Sequence, residues 1–344
     1  MSQFKLKIPQ PKLMVFAGLI VTVWVLLGWF YYLASSPVNE DTRNIVVKIE
    51  PGMTLKQVSV LLKNKNLIQN SAVFRAIAFL QKKQNQIMVG EYEISSSMVP
   101  MDILRRVTSG KTVLHPITIP EGYRITEIAD LLASNGLVDK EEFIRLTQDE
   151  EVIKFWDIPG DSLEGYLFPE TYHFGKNTGT RKIIDTMMKT FQDQVSPLNL
   201  DKRAKELNFT PHKVITLASI IEKETGKAEE RPLISSVFHN RLKKNMRLQT
   251  DPTVIYAIKN FDGNIRKKDL SLDSPYNTYK YKGLPPGPIA SPGLKAILAV
   301  LEPDNSDYLY FVSRQDGSHQ FSTTLDAHNN AVRKYQLKKV RRNR

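Results

Sequence analysis

The chain has 344 residues, 41% hydrophobic and 24% charged, which suits about two domains with buried cores and excludes extended disorder. It has no cysteine, which excludes disulfides, thiolate chemistry and Cys-based zinc sites. Its net charge of +12 falls almost wholly at the ends: Lys5, Lys7 and Lys12 at the start, and seven Lys or Arg among the last twelve residues, with no acid in either stretch. The nearly balanced body argues against a nucleic-acid binder, although the basic tail alone could meet an acidic surface.

The first element is apolar. Leu13 to Leu33 carries no charge over 21 residues, enough for a helix to span a bilayer. Trp29, Tyr31 and Tyr32 stand at its far end, where aromatic rings favour the interface. A cleaved signal peptide has a shorter apolar core, so the reading is an uncleaved transmembrane helix over 13–33. Residues 1–12 then form a cytoplasmic tail, because the lysines precede the span. A short polar linker, 34–44, leads outward.

A small α+β module is predicted over 45–112. Ile45–Ile49 reads as a strand and Pro51-Gly52 as a turn. Thr54 caps an amphipathic helix, a second helix follows Ser71, Val89–Ile94 alternates like a strand, and Met101–Val107 is a short helix. From 113 to 335 the pattern is mostly helical with a few short strands, ending in a hairpin around Asp316-Gly317. Residues 336–344 form the basic tail. No phosphate loop occurs, and the six histidines form no HExxH, so neither a cofactor nor a metal site is predicted.

The strongest helix signal is Thr210 to Gly226, TPHKVITLASIIEKETG. Thr210 suits the N-cap, Pro211 the first position and Gly226 the stop. At 100° per residue, His212, Thr216, Ser219 and Lys223 form a polar stripe, whereas Glu222 lies beside Ala218 and Ile215 on the apolar side. Burial and the negative end of the helix dipole both raise a carboxyl pKa. Glu222 is therefore the candidate general acid, as in the lysozyme pattern. The competing reading is a structural carboxylate paired with Arg241 or Arg231. Without such an obligate partner, Glu222→Gln should leave the fold intact. Glu224 points elsewhere and reads as a support or surface residue.

Other segments mix aromatic and polar residues, as sugar-binding grooves do. LEGYLFPETY offers Glu164, as a second carboxylate or a loop-bracing residue, and Tyr166. VFHNRL offers Asn240 and Arg241, either for a ligand or to brace Glu222. In MRLQTDPT, Asp251 before Pro252 reads as an N-cap, leaving Gln249 and Thr250 as ligand candidates. YNTY supplies Tyr276, Asn277 and Tyr279. Gly283 to Ile289, GLPPGPI, is a rigid loop with little freedom to lose on binding, and Ser291-Pro292 opens another helix.

These motifs, together with ASIIEKET, GLPPGPIASPG and YFV…HQFSTTLDAHN, occur in one order across residues 45 to 332. In that order they resemble the endolytic murein transglycosylases of the YceG-like family. The resemblance implies an α+β chain with a transmembrane helix, a LysM-like domain (PGMTLKQVSVLLKNKNLI opens it) and a larger catalytic domain. It also implies that the first Glu of EKET, Glu222, is catalytic, and that the substrate is the peptidoglycan glycan strand. Cleavage of the bond between N-acetylmuramic acid and N-acetylglucosamine would leave a 1,6-anhydro end and terminate strand elongation. The implied setting is the bacterial inner membrane, single-pass, with the catalytic domain periplasmic and peptidoglycan synthases as candidate partners. A hydrolytic muramidase using Glu164, and a non-catalytic peptidoglycan-binding scaffold, are the alternatives.

Overall fold

The computed structural model describes residues 11–337. Lys5, Lys7 and the tail from Lys338 onward lie outside the described residues. Two compact units emerge, Met1–His115 with Gly175–Asn177, and Pro116–Phe174 with Thr178–Arg344.

The first unit begins with α1 (Pro11–Ser35). Met14–Ser35 is long and apolar enough to cross a membrane. Side chains from Met14 to Trp29 are exposed, whereas Leu33 is buried and Phe30 and Ala34 pack on the unit's core. Beyond it, β1 (Ile45–Ile49) is followed by α2 (Leu55–Asn64), α3 (Ser71–Leu80), β2 (Gly90–Ile94) and α4 (Pro100–Thr108). The strands pair antiparallel, with Val47 opposite Tyr92, and their inward residues meet Val58, Leu62, Phe74, Ile77, Ile103 and Val107. Thr54 and Gln57 form a reciprocal capping box that starts α2.

The second unit is mostly helical. In chain order it contains β3 (His115–Thr118), α5 (Ile125–Ser134), α6 (Lys140–Thr147), α7 (Glu150–Phe155), β4 (Thr171–Phe174) and α8 (Thr180–Val195). Then follow α9 (Leu200–Glu206), α10 (Pro211–Glu224), α11 (Arg231–Lys243), α12 (Asp251–Ala257), α13 (Leu294–Leu301), β5 (Tyr310–Ser313), β6 (His319–Ser322) and α14 (Leu325–Val332). β3 joins β4 and β5 joins β6 in two-stranded sheets, so the α+β class holds.

α10 is the axis of this unit. It packs against α9, α11, α12 and α13, and every residue from Val214 to Ile221 is buried. Thr210 caps it, accepting the Lys213 N–H. The middle of the polar stripe read from the sequence, Thr216 and Ser219, is therefore buried, while Lys223 at its end is exposed. Thr216 and Ser219 return their hydroxyls to the helix carbonyls of His212 and Thr216. The helix also ends differently: Thr225 turns extended, and Gly226 is not among the positive-φ glycines.

The proline-rich loop 283–293 runs the length of α10. His212 Nε2 lies 2.8 Å from the Pro286 carbonyl, Ser219 Oγ accepts the Ile289 N–H at 3.0 Å, and Glu222 Oε2 accepts the Gly293 N–H at 2.9 Å. Steps of seven and three residues keep these contacts on one side of a helix. Because a carbonyl only accepts, His212 Nε2 carries its proton there. His212 Nδ1 pairs with the Tyr166 hydroxyl at 2.8 Å, and the two rings stack. Next to Tyr166, Gly165 adopts φ +85, and a Cβ there would overlap the Pro288 ring. LEGY thus locks the loop onto α10.

Gly165→Ala should therefore cost about 2–4 kcal/mol, combining a left-handed backbone with overpacking against a ring that cannot swing away. Urea denaturation would measure this. A loss under about 0.5 kcal/mol, the range of a neutral surface change, would contradict the packing.

Candidate active site

Glu222 sits in the last turn of α10 with its side chain only 5% exposed. Three groups hold it. Arg231 Nη2, at the first residue of α11, donates to Oε1 at 2.6 Å, and the Gly293 N–H donates to Oε2. The backbone of Gly122 comes alongside, a Cβ there being 3.6 Å from the Glu222 Cγ. Gly122 has φ +77, a conformation glycine adopts without Cβ strain.

Two loops close around this carboxyl. The Gly122 N–H donates to the Ser291 carbonyl and the Ser291 N–H to the Tyr123 carbonyl, both at 2.8 Å. Lys223 Nζ donates to the Gly122 carbonyl at 3.1 Å. Glu121 lies 3.5 Å from Arg231, so one buried guanidinium serves two carboxylates. Any side chain at Gly293 would displace Glu121.

Burial pushes the Glu222 carboxyl above its ordinary range; the Gly293 N–H and the Arg231 charge oppose this, and the Glu121 charge adds to it. Arg231 also corrects the idea that this charge has no obligate partner. Its side chain is 8% exposed, and its Nε has no hydrogen-bond partner. Removing one partner of a buried ion pair costs about 3–5 kcal/mol when the other charge is left uncompensated, and here Glu121 stays beside Arg231 to soften that cost.

Two further carboxylates, one buried and one half-buried, are differently placed. Glu164 accepts the Ile125 N–H at 3.1 Å and the Tyr256 hydroxyl at 3.5 Å. It thereby satisfies an orphan donor at the start of α5, and burial raises it to about 7. Glu224 receives the Thr250 hydroxyl, and burial raises it to about 7 as well. It is a half-buried support, the first of the two roles its sequence position allowed.

The remaining candidates divide by exposure. Asn240 donates to the Ser306 and Tyr308 carbonyls, and Arg241 to those of Leu309 and Leu248. Those bonds tie the terminal hairpin to α11. Asn277 is fully buried and donates to the Leu270 and Leu272 carbonyls. Thr250 is buried at the N-cap of α12, so Asp251 is that helix's first residue and not its cap; Asp251 instead accepts the Tyr279 hydroxyl at 2.6 Å. Gln249 is exposed in a left-handed conformation. Tyr276 is half-buried against Tyr256, 4.8 Å between ring centres. Glu121, Gly122 and Gly293 escape a reading by residue type, because their roles come from backbone approach across distant loops. Among the described residues, no group of three or more His, Asp or Glu side chains could hold a metal ion.

Glu224 gives a pH test. Its unfolded value is near 4.5 and its folded value about 7, so the folded chain holds this proton longer. That contribution to stability is full below 4.5, falls as pH rises towards 7, and is gone above. Glu224→Gln keeps an oxygen for the Thr250 hydroxyl without the charge. At about pH 8 it should exceed the parent by roughly 1–3 kcal/mol, at about 1.4 kcal/mol per unit, and at about pH 4 it should not. Thermal unfolding at both values would decide, and an equal difference at both would contradict the burial argument.

The YceG-like family model matches residues 47–334. An endolytic murein transglycosylase of Bacillus subtilis (strain 168) is 36% identical over 327 residues, covering 90% of each chain. Another, from Streptococcus pneumoniae serotype 2, is 32% identical over 89% of this chain and 61% of its own length. A crystal structure of a yceG-like protein from Listeria monocytogenes superposes with a TM-score of 0.59, at 36% identity, over 84% of this chain and 99% of that one. The chain belongs to the YceG-like family.

Proposed function

We propose that this chain is an endolytic murein transglycosylase, a lyase of the bacterial cell wall. The observation that carries the reading is the end-to-end similarity, at 36% identity, to a relative of that name. The substrate is then the peptidoglycan glycan strand, cut between N-acetylmuramic acid and N-acetylglucosamine.

Glu222 is the proposed acid and base. Burial favours the protonated form that gives its proton to the glycosidic oxygen, so that the leaving sugar departs as an alcohol. The carboxylate left behind is supported by Arg231 and the Gly293 N–H. It then takes the proton from the C6 hydroxyl as that oxygen bonds to the anomeric carbon of the same sugar. The acid is regenerated, no water is consumed, and no second carboxylate is obligatory, unlike the usual two-carboxylate scheme. Gln249, Tyr276 and Tyr279 keep some exposed surface and are proposed to meet the strand. Glu164, Tyr166, Asn240, Arg241, Thr250 and Asn277 are proposed to hold the walls of that site.

The first unit supports a LysM-like, sugar-binding reading, because its paired strands enclose two helices around their own core. The apolar α1 supports a single-pass anchor. The amino-terminal lysines favour a cytoplasmic start with the catalytic unit outside. Peptidoglycan synthases remain proposed partners.

Glu222→Gln tests the assignment. Strand cleavage should fall by at least about 10²–10⁴-fold, since one group serves both proton transfers, while circular dichroism reports a folded chain. Glu164→Gln should keep most of the activity. Near-parental cleavage by a folded Glu222→Gln would remove Glu222 from the chemistry.

A further inference from the structure

We infer that the tip of α3 inserts into the membrane interface beside α1, giving the first unit a second, side-chain attachment to an anionic lipid surface. The inference rests on the proposed reading of α1 as a membrane anchor.

The depth of the tip follows from how α3 is seated. Gln69, just before α3, donates its amide to the Pro37 carbonyl at 2.8 Å, beyond the outer end of α1 at Ser35. α3 packs against α1, where Phe30 and Ala34 lie on the same core. The helix therefore starts beyond the end of α1 and runs back along it. Its ten residues cover about 15 Å. From Ser35 back to Trp29 is only about 9 Å of helix. Trp29 and Tyr32, with ring centres 6.1 Å apart, mark the interfacial level. Running antiparallel to α1, α3 would bring its end to about that level.

The residues at this end fit lipid. Phe79 is 61% exposed and Leu80 72%, although both end an otherwise core-facing helix. Lys82 and Lys83 follow directly. From Pro51 to Gly90 the sequence has six Lys or Arg and no Asp or Glu. Apolar side chains flanked by basic ones are the composition that favours an anionic headgroup layer. Lysine stems can cover the apolar tip while their charges reach phosphate.

The chain has no cysteine, so single substitutions allow unique spin labels. Full-length Leu80→Cys and Leu19→Cys proteins, labelled and reconstituted in phosphatidylethanolamine–phosphatidylglycerol vesicles, would be compared for collision with oxygen and with a water-soluble nickel chelate. Leu80 is exposed, so the label should not disturb folding. The inference expects both labels to favour oxygen, with Leu80 nearer the headgroups than Leu19. A Leu80 label open to nickel, beside a lipid-facing Leu19 label, would overturn the inference and leave the anchor intact. A nickel-accessible Leu19 label would overturn the anchor and the inference with it. An immobilised Leu80 label still open to nickel would put protein or glycan against the tip instead, and would also overturn it.

Discussion

A carboxyl at the end of a buried helix must find partners or lose its charge, and the Glu222 site is organised around that constraint. Desolvation favours the proton, while Arg231 and the Gly293 N–H favour the anion. Neither influence stands alone, so the group can pass between both forms without collapse of its surroundings. An acid that later acts as a base requires that poise.

Holding those partners in register takes most of the second unit. Gly293 is brought to Glu222 by loop 283–293, and that loop is anchored at three levels of α10. Gly165 lets the loop approach closely, and Tyr166 holds His212 from behind. Arg231 arrives from α11, whose far end is bolted to the hairpin through Asn240 and Arg241. Glu230, just before α11, binds His319 of β6 at 2.6 Å. The hairpin therefore braces the helix that carries the Glu222 partner.

Many elements were legible because their signals are local, although Ser291-Pro292, read as opening a helix, precedes α13, which starts at Leu294 behind Gly293. Thr210 and Pro211 start α10, Thr54 starts α2, and β2 alternates in burial as Val89–Ile94 does in sequence. The singling out of Glu222 rested on a weaker premise. The sequence suggested a helix with one apolar face, yet the middle of α10 is enclosed all round, and Thr216 and Ser219 are as buried as Ile215. What distinguishes Glu222 is the guanidinium and the backbone N–H that reach it from residues 231 and 293. Such pairing between distant segments leaves no periodic trace. The same limit explains Asp251, which looked like a cap by its place before Pro252 but sits one residue inside the helix and accepts from Tyr279.

Chemistry that uses one carboxyl for both proton transfers makes a definite statement about water. If the C6 hydroxyl closes on the anomeric carbon, no solvent oxygen enters the product. The most direct test is digestion of purified sacculi in water enriched in heavy oxygen, with mass spectrometry of the released muropeptides. Closure by the C6 hydroxyl should give 1,6-anhydro ends that carry no heavy oxygen. Newly formed free reducing ends in place of anhydro ends would show that a solvent molecule attacks instead, and would contradict it.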